Sequence, residues 1–97
     1  MTNFEIGRAY YATACLEGAG KLVVVPIGRQ GRTVQFAAVS ELMTGKIHPD
    51  MDMGREFATI NAEDGKYCVS AACEANAADA AEIFNVIKQT KQGRTNR

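Results

Sequence analysis

The chain has no tryptophan, a single histidine, an odd number of cysteines and no net charge, and each shortage closes off a class of function. One histidine cannot complete the usual zinc sets, and there is no C-x-x-C to help it. Cys15, Cys68 and Cys73 lack the paired spacing of a disulfide framework, so they are expected as reduced thiols in a cytoplasm. No apolar run approaches the roughly 18 residues of a membrane span. The opening MTNFEIGRAYY has no charged region followed by an apolar stretch, so no signal peptide and no membrane partner are expected. Eleven basic residues balance eleven acidic ones, and bulk charge alone selects no partner. The distribution is less even. Lys88, Lys91, Arg94 and Arg97 close the chain without an acid, leaving seven basic against eleven acidic residues in 1–87. A mildly acidic body therefore carries a basic tail able to contact phosphates.

What is present is a succession of short strand signals followed by one helix. RAYYATACL, KLVVVPIG, RTVQFAAV, REFATINA and KYCVSAACEA read as strands, with a short additional strand around Lys46 and Ile47. Tyr10 and Tyr11 are adjacent, so one must face the core and the other outward. On one strand, Cys68 and Cys73 would fall on opposite faces by the same parity. From Asn76 the period changes. Ala80, Ile83, Phe84 and Ile87 fall at i, i+3, i+4 and i+7, one apolar helical stripe. Asn76 is placed to cap the helix, Asp79 suits its positive end, Lys88 and Lys91 its negative end, and Gly93 its stop. One stripe implies a helix laid across the sheet or closing one end of a barrel.

VVVPIGRQGRTVQF reads as a hairpin. A symmetric loop centred on Gln30 and Gly31 sets Ile27 opposite Val34, Val25 opposite Phe36 and Val23 opposite Ala38, all apolar. Pro26 cannot donate to a ladder and marks an edge or a bulge. The same register sets Arg29 opposite Arg32, where two like charges call for an anion or for an acid such as Glu5 or Glu56.

Stronger chemical motifs fail. LEGAGKL lacks the first glycine of a P-loop, has Leu22 where the motif needs Ser or Thr, and runs into a strand. GRQGRT has Arg32 in place of the lysine, and no G-x-G-x-x-G opens a helix. His48, Asp50, Asp52 and Glu56 do not follow the calcium-loop spacing. No cofactor and no metal are expected. His48 could serve as base to a cysteine thiolate, but all three cysteines fall in strand-like segments, where cysteine is usually a packed residue.

FEIGRAYYATAC, GRQGRTVQF, GREFATI and DGKYCVSAACEA together resemble a group of short β-rich proteins encoded on phages and mobile elements of gut Firmicutes. The resemblance spans residues 4–75, with Cys68 and Val69 interposed between Tyr67 and Ser70 of the closing strand. It implies a small intracellular accessory protein and carries no site residues onto this chain. Such proteins often bind nucleic acid or inhibit a host defence protein. The terminal helix lies outside the resemblance.

The expected fold is α+β and mostly β: a small antiparallel SH3-like or OB-like partial barrel of about five strands with one C-terminal α-helix. The expected organisation is one globular domain over residues 1–93, with the sheet in 4–75, the helix in about 77–92 and a basic tail at 94–97. The expected function is a non-enzymatic binding module. Lys21, Arg29 and Arg32 form a basic rim, Lys88, Lys91 and Arg94 a tail, and Tyr10 or Tyr11 stacks on a base. The alternative is an anti-CRISPR-like inhibitor or adaptor that docks on a host protein through the helix or an exposed strand edge. A cysteine–histidine enzyme comes third.

Overall fold

Each strand signal pairs with the next along the chain, and the last returns to the first. The computed structural model describes residues 2–14, 21–39, 41–50, 52–62 and 65–95, the side chains of residues 21, 49, 50, 62 and 90–95 excepted. Six strands, β1 (Tyr10–Ala14), β2 (Lys21–Gln30), β3 (Thr33–Ala37), β4 (Leu42–Asp50), β5 (Arg55–Ala62) and β6 (Gly65–Glu74), precede one helix, α1 (Ala77–Thr95). The strands form a closed antiparallel barrel in chain order. The small β-rich barrel with a single C-terminal helix is the fold expected from sequence. The short strand anticipated near Ile47 is a full nine-residue strand, β4. An apolar residue at an outward position, Leu42, and a glycine at an inward one, Gly45, weaken the alternation that would have shown its length. Closure joins the last strand to the first, so no strand stands as the terminal edge of an open sheet.

The interior is filled by alternate residues. Tyr10, Ala12, Val24, Val34, Phe36, Met43, Ile47, Ala58, Ile60, Val69 and Ala71 are buried in one cluster. Gly45 belongs to this inward set, because a Cβ there would lie 2.7 Å from Phe36 Cε2 and 3.1 Å from Ile60 Cγ1. The aromatic ring occupies the space that a side chain on β4 would need.

The N-terminal segment seals one mouth of the barrel. Thr2 forms a parallel bridge with Arg55, donating to the Gly54 carbonyl at 2.7 Å and accepting from Glu56 N–H at 2.8 Å. Phe4 then enters the core and meets Tyr10 and Phe36 edge to face, with ring centroids 5.1 and 5.7 Å apart. At Gly7 φ is +88°, a value that side chains avoid, and its N–H donates to the Pro26 carbonyl. The F-x-x-G-x-x-Y spacing of residues 4–10 therefore describes a plug, a turn and the core ring that the plug rests on.

The β2–β3 register differs from the expected one. Gln30 pairs with Thr33, Arg29 with Val34 and Gly28 with Gln35; beyond a bulge, Pro26 pairs with Phe36 and Val25 with Ala37. The loop is Gly31-Arg32, and Gly31 takes φ +61° while Arg32 stays in the ordinary region, the pattern of a type II′ hairpin turn. Pro26 marks the bulge, as its missing N–H suggested, and Ile27 is left exposed rather than facing Val34. Arg29 consequently does not face Arg32.

Helix α1 lies on the outside of the barrel. Ala80 and Ile83, with partly buried Ile87, pack on Val25, Ala37, Ala9 and Val23. Phe84, predicted in the same stripe, instead stands 41% exposed at its margin. Asn76 caps the helix as expected: its Oδ1 accepts from Asp79 N–H at 2.8 Å, and its Nδ2 donates to Asp79 Oδ2 at 3.2 Å. The helix continues through Gly93 to Thr95. Among the described residues no helix is long and apolar enough to cross a membrane.

Candidate functional site

The residues expected to form a basic rim and stacking pair are dispersed. Tyr10 is 1% exposed, with its ring in the core and its hydroxyl accepting from Glu5 N–H at 2.9 Å. Burial pushes its phenol pKa up. Tyr11 faces outward, as the parity required, and its hydroxyl donates to Asp79 while accepting from Asn76 N–H. The bond to Asp79 raises its pKa. Tyr11 thus ties β1 to the first turn of α1.

Arg29 has found the acid that its position called for. Its Nη2 and Nη1 bond Glu56 Oε2 at 2.8 Å and Oε1 at 3.1 Å, while its Nε donates to the Gly31 carbonyl. Glu56 is inward-facing on β5 and buried at the sealed mouth, where it also accepts from Phe4 N–H at 3.1 Å. A buried carboxylate needs this satisfaction. Arg32 is exposed at the hairpin turn and Lys88 is exposed on the helix. The side chains of Lys21, Lys91 and Arg94 lie outside the described residues, as does Cys15.

A different surface gathers the remaining chemistry. The helix covers the outside of β2 and meets β1 at Tyr11, leaving the outer face of β4, β5 and β6, and of β1 beyond Tyr11, uncovered by it. Cross-strand pairing aligns Lys46 with Thr59, Cys68 and Thr13 in one row, and His48 with Phe57 and Ser70 in the next. Lys66 pairs with Asn61 at one end, and Arg55 with Asp50 at the other. The His48 and Phe57 rings stack, with centroids 5.3 Å apart and planes at 28°. His48 Nε2 lies 3.3 Å from Thr59 Oγ1. Among the described side chains at these outward positions, Lys46, Arg55, Lys66 and His48 are met by no carboxylate. The ion pairs among the described residues lie elsewhere: Arg8 with Glu5 and Glu74, and Arg29 with Glu56.

Cys68 and Cys73 do not lie on opposite faces. In β6 the pairing with β1 jumps from Val69 opposite Ala12 to Glu74 opposite Tyr10, five residues against two. This bulge breaks the parity of the strand, and both cysteines are exposed beside the same concavity. No group of three or more metal-ligating side chains occurs among the described residues.

The signal that could have located this face was present but divided. Each of β4, β5 and β6 has its cations on the parity opposite its buried residues, and only strand alignment brings the three sets together. Comparison with protein-family models, curated proteins and solved structures finds no match to this chain. The functional argument therefore rests on the geometry of the surface.

Proposed function

We propose that the protein is a non-enzymatic binding module that holds single-stranded nucleic acid on the outer face of β4, β5, β6 and β1. One observation supports this most: Lys46, Arg55 and Lys66 share this face with a stacked aromatic pair and have no ion-pair partner among the described residues. Cations track phosphates and flat rings accept bases, the combination that binds single strands without reading sequence. The basic C-terminal segment adds charge for the same backbone. In this reading the protein works in the cytoplasm as an accessory of a phage or mobile element.

The test is fluorescence anisotropy with labelled single-stranded and duplex oligonucleotides across a salt series. With about three phosphates neutralised, log K should fall with log salt at a slope near −2, losing roughly 16-fold between about 50 and 200 mM. Lys46→Ala with Lys66→Ala should flatten that slope, and Phe57→Ala should weaken binding at every salt concentration. Absence of binding at the lowest salt would sink the proposal.

A second reading, the inhibitor or adaptor, draws on one feature. Ile6 and Phe84, 57% and 41% exposed, flank a groove of about 760 Å³ between the N-terminal segment and α1. Exposed apolar residues of this kind suit a protein partner. If that reading holds, Phe84→Ser abolishes activity while the Lys46 and Lys66 substitutions are silent.

A further inference from the structure

Arg55 is the least explained charged side chain among the described residues. It sits at the start of β5, partly buried, and its Nε has no hydrogen-bond partner among the described residues. Arginine cannot shed its charge, so a guanidinium nitrogen that no described residue satisfies is a donor open to an outside partner. The surroundings specify what that partner must be. Arg55 lines a concavity of about 360 Å³ with Thr13, Phe57, Cys68, Ser70 and Cys73, and with Tyr11 at its wall. None of these lining residues is acidic. Ser70 Oγ accepts from Ala72 N–H at 3.2 Å, which leaves its hydroxyl proton for an outside acceptor. Thr13 offers a second hydroxyl, exposed at the end of β1. The Tyr11 proton is already given to Asp79, so Tyr11 contributes only its ring.

We infer that this concavity is an oxyanion subsite that takes a phosphate group, bound by the Arg55 guanidinium and the Ser70 and Thr13 hydroxyls. A tetrahedral oxyanion offers acceptors in several directions, which suits a guanidinium edge and hydroxyls converging from three strands. The Phe57 ring beside it provides a flat apolar surface for whatever the phosphate is attached to. The inference deepens the nucleic-acid reading and rests on it for the identity of the natural ligand. The phosphate chemistry is the same whether it comes from a polynucleotide or a small phosphorylated molecule.

The experiment follows the Arg55 Nε–H resonance by ¹H–¹⁵N NMR during titration with inorganic phosphate, against sodium chloride at matched ionic strength. The expected result is a saturable shift of Arg55 Nε–H, with the Thr13 and Ser70 amides moving in parallel, produced by phosphate and not by chloride. Arg55→Lys keeps the charge but loses the fork, and should weaken phosphate binding about tenfold. A thymidine monophosphate arm and an oligonucleotide arm separate the sources. If phosphate and the mononucleotide move Arg55 but the oligonucleotide binds nowhere, the subsite stands and the nucleic-acid reading falls. If the oligonucleotide binds while Arg55 Nε–H stays still, the nucleic-acid reading stands and the subsite is overturned. An identical response to phosphate and chloride also overturns it.

Discussion

Removing Arg29 decides whether this arginine belongs to a binding surface or to the fold. Its guanidinium makes two bonds to Glu56, at 2.8 and 3.1 Å, and the two side chains are 37% and 9% exposed. Exposed pairs contribute about 0–1 kcal/mol, whereas stripping one partner from a buried pair costs about 3–5 kcal/mol. This pair lies between those limits, because water can still reach Arg29 but scarcely Glu56. Arg29→Ala would leave a buried carboxylate with one remaining donor, Phe4 N–H, and should cost about 2 kcal/mol. Glu56→Gln preserves shape and an acceptor for Phe4 but loses the charge, and should cost about 1–2 kcal/mol. The double variant should cost less than the sum by about 1–2 kcal/mol, since the second substitution removes an interaction already lost. Urea unfolding of the four proteins at neutral pH measures these values, and the coupling should persist at high salt because Glu56 is shielded. Oligonucleotide affinity of Arg29→Ala should be unchanged once corrected for the folded fraction. A stability-neutral Arg29→Ala with a coupling below about 0.5 kcal/mol would refute the clamp.

Two further outcomes follow from the core and the tyrosines. Gly45→Ala would place a Cβ 2.7 Å from the fully buried Phe36 ring. It should destabilise the barrel by about 2 kcal/mol and lower Tm by roughly 10 °C, with partial recovery in a Gly45→Ala/Phe36→Leu double variant; an unchanged Tm would show that Phe36 does not fill that space. The Tyr10 and Tyr11 phenols both have raised pKa values, Tyr10 through burial and Tyr11 through its bond to Asp79. The folded chain holds these protons longer than the unfolded one, so stability is unaffected below about pH 10 and falls as pH rises beyond it. Tyrosinate absorbance should therefore rise at higher pH in the native protein than in urea, and coincident curves would contradict the assignment.

The parts of the fold that could be read in the sequence are those with one buried face. Helix α1 has a single apolar stripe because only one side meets the barrel, so its start, its cap at Asn76 and its packed Ala80, Ile83 and Ile87 were all visible. The adjacent tyrosines were equally decided by parity. Strand β2 defeats the same reasoning because it is covered twice, Val24 by the barrel interior and Val25 by the helix. With both faces apolar, a period of two carries no information about register, and a shifted pairing satisfies the pattern as well as the true one. The bulge at Pro26 then moves the loop relative to any symmetric guess. Parity fails in β6 for a related reason, since three extra residues between Val69 and Glu74 bring Cys73 round to the surface of Cys68.

The candidate surface was hidden by dispersion rather than by ambiguity. Lys46 and His48 precede Arg55 and Phe57 by a loop, and Lys66 follows after another, so no window of sequence contains them all. A basic cluster in sequence, such as the arginines of GRQGR, draws attention, yet neighbours in a hairpin can be pulled to different tasks. Arg29 turns to Glu56 while Arg32 stays in solvent. Glu56 is the residue that makes the sorting intelligible. It lies on the inward parity of β5 with Ala58 and Ile60, and a carboxylate turned into a barrel must recruit a cation from the rim. Once Arg29 is recruited, the cations left to meet an external anion include those at outward positions of the middle strands, where no described acid competes for them.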